Sequence, residues 1–210
     1  VAVSKAQAQW MREARLVTPA RAHVLVSARP LDAFLALPLP ATEPARPFTL
    51  LAYGRLTRQK GFDTLLKAMG LLQASSLRLL LAGDGPEAEH LKALANADPR
   101  IEWLGPRRDI PALMAQVDAV VIPSRWEPWG NVCLEARAAG RPVVTSGADG
   151  LPEQVQGCGL VTRGESPHQL AASLETLISA TSVQRRSWSV AGRLSAQGAW
   201  ERYLDGWQRL

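Results

Sequence analysis

Two acids, Glu127 and Glu135, stand eight positions apart on either side of a Pro-Trp-Gly-Asn turn, within the stretch Ser124-Arg-Trp-Glu-Pro-Trp-Gly-Asn-Val-Cys-Leu-Glu-Ala136. Glu135 lies among Val132, Cys133, Leu134 and Ala136, and a carboxylate in such apolar company needs hydroxyl or N–H partners. The plain alternative makes Glu135 a helix former on a wet edge and Glu127 an exposed loop acid. The turn between them carries chemistry of its own. Gly130 or Asn131 caps a helix whose alanine-rich body runs to Ala139, where Gly140 and Pro142 stop it. The unpaired N–H groups of its first turn favour negative charge, so a phosphate or sugar oxygen can be held there without a cationic side chain.

The elements that must position this turn can be read on both sides of it. Asp118-Ala-Val-Val-Ile-Pro123 is a short, β-branched apolar run closed by proline, the pattern of a buried parallel strand that ends at the motif. Earlier, Phe48–Tyr53 reads as a strand, followed by the loop Gly54–Gly61 and a helix from Phe62 to about Leu72. Leu77–Ala82 repeats the pattern with the turn Gly83–Pro86, and Pro86 suits the first helical position of Glu87–Asn96. A strand over Arg100–Leu104, a helix over Asp109–Gln116, strands at Pro142–Thr145 and Gly159–Val161, and a helix over Pro167–Ala180 complete the series. Strands alternating with helices at this spacing imply an α/β fold, a doubly wound parallel sheet with helices on both faces. Ligands in such sheets sit beyond the C-terminal strand ends, which places Gly54–Gly61, Gly83–Pro86 and Ser124–Asn131 at one edge.

Upstream, Val1–Ser4 reads as a strand end, with Ser4 capping a helix to Leu16, and His23–Ser27 as another short strand. Ala28–Pro47 holds prolines at 30, 38, 40, 44 and 47, a density that excludes regular elements and predicts a stiff linker. Val183–Leu210 mixes Trp188, Trp200, Tyr203 and Trp207 with arginines and reads as a terminal helix or pair, its aromatics packed on the domain or on a missing partner domain.

Composition narrows the function classes. The 210 residues suffice for one good core plus attached pieces, and no apolar run is long enough to span a bilayer. A net charge of +5 and a pI near 9.8 suit an anionic ligand or an acidic lipid surface, but the 24 basic residues are scattered, against nucleic-acid binding. Cys133 and Cys158 show no zinc or disulfide pattern, and His23, His90 and His168 no ligand spacing, so no metal site is expected and a reduced, cytosolic protein is. The chain opens on Val with no signal-peptide pattern and is expected to be a fragment of a longer protein.

Glu-Pro-Trp-Gly followed by Leu-Glu-Ala, at the end of a buried strand, resembles the E-x7-E signature of retaining GT-B glycosyltransferases, in particular the large family 4 group, with Trp129 in place of the usual Phe. Gly54-Arg-Leu-x3-Lys60-Gly61 resembles the same family's G-R-L…K-G loop. There Arg55 and Lys60 would stabilise the charge that develops on a diphosphate leaving group. Carried over by position, the resemblance implies that Glu135 accepts hydrogen bonds from the ribose hydroxyls. Glu127 would face the donor sugar and support charge at the anomeric carbon. The N–H groups of Trp129, Gly130 and Asn131 would meet sugar and phosphate. Gly83-Asp-Gly85-Pro86 resembles the family's G-x-G-P turn, which with Gly54 lets a ligand approach the backbone. Gly105-Pro-Arg107 matches the place that receives the base, with uracil, guanine and adenine all open. Gly140–Thr145 and Gly150–Val155 extend the match to about residues 48–180, while Ala148-Asp149-Gly150 departs from the usual paired glycines.

The opening Val-Ala-Val-Ser-Lys-Ala-Gln-Ala-Gln-Trp-Met-Arg resembles the last unit of the N-terminal domain in these enzymes. The implied organisation is the end of that domain with a linker over 1–47, a nucleotide-sugar-binding Rossmann-like domain (the GT-B C-terminal domain) over 48–182 and a helical segment over 183–210. The implied activity is sugar transfer from a nucleotide-diphosphate sugar, with no cofactor and no metal, to a glycan or lipid-linked acceptor bound by the N-terminal domain. Alone, the chain would bind nucleotide without efficient transfer, because half the cleft cannot bring donor and acceptor together. The basic balance and the tryptophans permit a peripheral contact at the inner face of a membrane. A non-catalytic nucleotide or sugar-phosphate binding module is the alternative. An NAD-dependent dehydrogenase is excluded, because no G-x-G-x-x-G follows the first strand.

Overall fold

The computed structural model describes residues 1–41, 46–73 and 76–210. In chain order their elements are α1 (Lys5–Glu13), α2 (Asp32–Leu35), β1 (Phe48–Tyr53), α3 (Phe62–Leu71), β2 (Leu77–Ala82), α4 (Ala88–Leu94), β3 (Ile101–Gly105), α5 (Ile110–Met114) and β4 (Ala119–Ile122). They continue as α6 (Asn131–Ala138), β5 (Val143–Thr145), α7 (Leu151–Gln154), β6 (Gly159–Val161), α8 (Pro167–Ser179), α9 (Ser182–Ala196) and α10 (Ala199–Gln208). The strands form one parallel sheet in the order β3-β2-β1-β4-β5-β6. Chain direction across the sheet therefore reverses between β1 and β4, and that is where crevices open in doubly wound sheets.

Both faces of the sheet are covered, which explains why its central strands are apolar throughout rather than alternating. Leu50, Leu79, Leu81, Ala119 and Val121 face a core closed by α3, α4 and α8. Their neighbours Leu51, Leu80, Val120 and Ile122 face a second core closed by α2, α5 and α6. The strand period of two divides each run between the faces. Helix α6 is buried nearly all round, from Cys133 to Ala138, because the sheet lies on one side and α9 on the other. Its alanines allow that close approach.

Four expectations change. The segment 28–47 is not free of regular structure: α2 makes one turn because Leu31 and Phe34, three positions apart, bury on the second core at 4% and 5% exposure. The chain after α2 is pinned by two guanidinium groups. Arg141, itself buried, donates to Met114 O at 2.7 Å, Ala139 O at 2.5 Å and Pro38 O at 2.9 Å. Arg193 reaches Leu37 O at 2.7 Å and Ala139 O at 3.1 Å. Both cations thus sit at the negative C-terminal end of α6. Pro44, counted with the linker prolines, lies outside the described residues. His23–Ser27 forms no strand but a single bridge, Ala2 to Val24, since nothing else pairs with it among the described residues. Helix α1 is capped by the Ser4 hydroxyl, as expected, but closes at Glu13, with Arg15 at a φ of 55°. Pro86 falls in the turn before α4, whose N-cap is Glu87.

Candidate functional site

Beyond β4 the chain runs through Pro123 and Ser124 to Glu127, then turns at Gly130, the N-cap of α6. Gly130 has a φ of 87°, and a Cβ there would stand 2.9 Å from Glu127 Cγ. The missing side chain is what lets the acid pack under the helix start. Glu127 is buried, ion-paired through Oε2 with Lys60 Nζ, and accepts a 3.3 Å hydrogen bond from Ser124 Oγ. Its own N–H donates to Asp149 Oδ2 at 2.6 Å. Two loops therefore hold it, the one after β1 through Lys60 and the one after β5 through Asp149. A bidentate pair, Arg125 on Asp63 at 2.7 and 2.8 Å, ties the β4 end to α3.

Glu135 lies one helical stretch inside α6 and is buried, at 4% exposure. The wet-edge alternative for it does not hold, and neither does the exposed-loop alternative for Glu127. Glu135 Oε2 accepts a hydrogen bond from the Tyr53 hydroxyl, and Oε1 accepts one of 2.7 Å from Arg29 Nη1. Burial first, then the Glu135 charge, pushes the Tyr53 hydroxyl well above the ordinary tyrosine range, so it remains a donor. Tyr53 closes β1 and carries the arrangement to the sheet edge.

There a cavity of about 320 Å³ opens beyond β1, β2 and β3, walled by Tyr53, Gly54, Arg55, Gly83, Arg107 and Ile110. Arg55 is exposed, and its guanidinium has no hydrogen-bond partner among the described residues. Arg107 is held by Asp109 through bonds of 2.8 and 2.5 Å. Gly85 plays a different part: the space its side chain would need is taken by Leu56 O, 2.5 Å from an ideal Cβ, so the glycine lets two loops touch. Trp129 is buried, its indole N–H without a partner among the described residues, and Gln154 donates to its carbonyl. Asn131 begins α6 exposed to solvent.

The structure thus joins Lys60 to Glu127, sets Arg55 and Arg107 on one cavity with Gly54, and links Glu135 to that cavity through Tyr53. Sequence reasoning passed over Tyr53, Arg29, Ser124 and Asp149. A polar-tipped aromatic ending a buried strand just before Gly54 was the available signal for Tyr53; Arg29 had none. Among the described residues no group of three or more His, Cys, Asp and Glu gathers as a metal cluster, and no helix is long and apolar enough to cross a membrane.

Residues 47–180 match the model of the family described as Glycosyl transferases group 1. The chain belongs to this family. It is 36% identical over 110 residues to the lipopolysaccharide core biosynthesis glycosyltransferase LpsD of Rhizobium meliloti, covering 51% of this chain and 32% of that protein. With the glycogen synthase of Mycobacterium tuberculosis it shares 31% identity over 199 residues, 89% of this chain and 47% of the other. The chain thus spans a third to a half of the length of these relatives. Among solved structures, Anabaena HepE in complex with UDP and glucose superposes with a TM-score of 0.81 at 26% identity, over 97% of this chain and 60% of HepE. The group 1 chain therefore carries the Rossmann-like domain of the GT-B fold, with its six-stranded parallel sheet and helices on both sides.

Proposed function

We propose that this chain is the donor-binding half of a retaining, family 4 glycosyltransferase that moves a sugar from a nucleotide-diphosphate sugar to an acceptor bound by an N-terminal domain. The observation that carries the proposal is the pair of buried acids around the start of α6, each held by donors from other elements, Glu127 by Lys60 and Glu135 by Arg29 and by Tyr53, which walls the cavity. Glu135 presents a fixed carboxylate to a ribose diol, which suits a group that accepts from two hydroxyls at once. Arg55 and Lys60 meet the diphosphate together with the N–H groups of Trp129, Gly130 and Asn131. As the glycosidic bond breaks, negative charge grows on the leaving diphosphate, and cations fixed in advance stabilise it without reorganising. Glu127 faces the sugar, holding its hydroxyls and supporting positive charge at the anomeric carbon. The base enters the cavity near Arg107, and the donor is held without a metal ion or cofactor. HepE, solved with UDP and glucose, makes UDP the first nucleotide to try. In the same reading the protein works in the cytoplasm, at times against a membrane surface, in keeping with its net charge of +5 and with Trp126 and Trp207, which are half exposed.

Calorimetric titration of the 210-residue chain with UDP, GDP and ADP tests this. Selective binding of one of them, weakened by about 1–3 kcal/mol in Glu135→Ala and in Arg55→Ala, is expected from loss of charge-assisted hydrogen bonds. Binding that ignores both substitutions would sink the assignment.

A further inference from the structure

Arg29 stands 106 residues before Glu135 in sequence, and its Nη1 lies 2.7 Å from Glu135 Oε1. Its side chain is nevertheless 55% exposed, while the carboxylate it touches is 5% exposed. The chain just beyond it is anchored, because Leu31 and Phe34 are buried. A guanidinium has five N–H donors in a rigid fork, and a carboxylate has about four lone-pair sites. One contact consumes one of each. With the Tyr53 hydroxyl counted, Glu135 keeps acceptor capacity for a ribose diol, and Arg29 keeps most of its donors, facing solvent at the rim of the site.

The other cations at this edge differ in what they have left to offer. Lys60 is ion-paired with Glu127, and Arg107 is held bidentate by Asp109. Arg55 is open, and so is the outer part of Arg29. A nucleoside diphosphate carries more charge than Arg55 and the already ion-paired Lys60 match, and arginine forks suit phosphate oxygens. We propose that Arg29, anchored on Glu135, is a further donor-binding residue that presents its remaining N–H groups to the diphosphate of the nucleotide. One carboxylate then serves two ends of the same ligand: it accepts from the ribose on one side and aims a cation at the phosphates on the other. This rests on the nucleotide reading above.

Arg29→Ala and Arg29→Gln test it, the glutamine keeping a neutral N–H for Glu135 while removing the charge. UDP is titrated calorimetrically and uridine by NMR shift perturbation, or the matching pair if the parent chain selects guanine or adenine. Both variants are expected to bind the nucleoside as the parent does and to lose about tenfold in affinity for the diphosphate. Diphosphate affinity that is unchanged or tighter in either variant overturns the proposal, making Arg29 a bystander or a latch that must leave before ribose enters. Equal losses for nucleoside and diphosphate in Arg29→Ala, absent in Arg29→Gln, overturn it too, since Arg29 would then only position Glu135. If the parent chain binds none of the three diphosphates, the nucleotide reading itself fails and takes this assignment with it.

Discussion

Replacing Glu135 and Tyr53 with Leu and Phe, singly and together, separates a charge kept for a ligand from one kept for the fold. Even after relaxation, burying a carboxylate costs several kcal/mol. Its two partners, Tyr53 and Arg29, return about 1.5–3 kcal/mol each as hydrogen bonds to a charged group, so the balance is close to zero. Tyr53→Phe removes one bond and leaves the charge, and is expected to destabilise by about 1.5–3 kcal/mol. Glu135→Leu removes the charge but strands the tyrosine hydroxyl, at a cost of about 1–3 kcal/mol that the buried leucine partly offsets. In the double variant neither polar group remains and the side-chain volumes are nearly kept. It is expected to be at least as stable as the parent, by up to about 1–4 kcal/mol, as when other buried ion pairs are replaced by apolar groups. Urea unfolding of the four proteins at neutral pH reads this directly, with about 2–4 °C of melting temperature per kcal/mol as a cross-check. Nucleotide binding should weaken by about 1–3 kcal/mol wherever Glu135 is absent. A double variant less stable than both single ones would refute the reasoning, because the acid would then support the fold and its burial would say nothing of a ligand.

Two further outcomes follow from the loops that carry the site. Gly61 and Gly105 have nearly the same left-handed φ, 65° and 63°, but a Cβ at Gly61 would stand 2.0 Å from Pro123 O, whereas at Gly105 nothing lies within 4 Å. Both alanine substitutions incur about 1–2 kcal/mol of backbone strain, and only Gly61→Ala must also push β4's exit aside, so it should be at least about 2 kcal/mol the worse in denaturant unfolding; equal losses would show that the Pro123 contact yields freely. Hydrogen bonds from Arg125 hold the Asp63 carboxyl below its ordinary range, so its stabilisation is complete above about pH 4 and is lost as pH falls through the lower folded-state value. With 27% and 23% of the two side chains exposed, solvent screening limits the pair to about 1 kcal/mol; Asp63→Asn should trail the parent by that much at pH 7, and a gap that fails to close below about pH 4 would rule the pair out as its source.

What could be read beforehand follows from the range of the forces involved. β1 and β2 have the ends expected of them, Phe48–Tyr53 and Leu77–Ala82, because runs buried on both faces stop where glycine begins the ligand edge. The helices α2 and α7 span four residues each, too few to show a period. They exist because Leu31, Phe34 and Leu151 found a core to enter, which is a property of the finished packing. The site divides the same way. Glu127 and Glu135 share one turn and helix, so their spacing survives in the sequence, while Lys60 and Glu127 meet across 67 positions and Arg29 and Glu135 across 106. Contacts at that distance are made by the sheet order, which brings the ends of β1 and β4 side by side. Lys60 could still be expected because its loop resembles a known pattern. Arg29 sits in a stretch read as linker, and only the burial of Leu31 and Phe34 brings its guanidinium to the acid. A residue recruited through tertiary packing leaves no mark in the local motif, so the cation at position 29 can be placed at the site only once the fold that carries it is known.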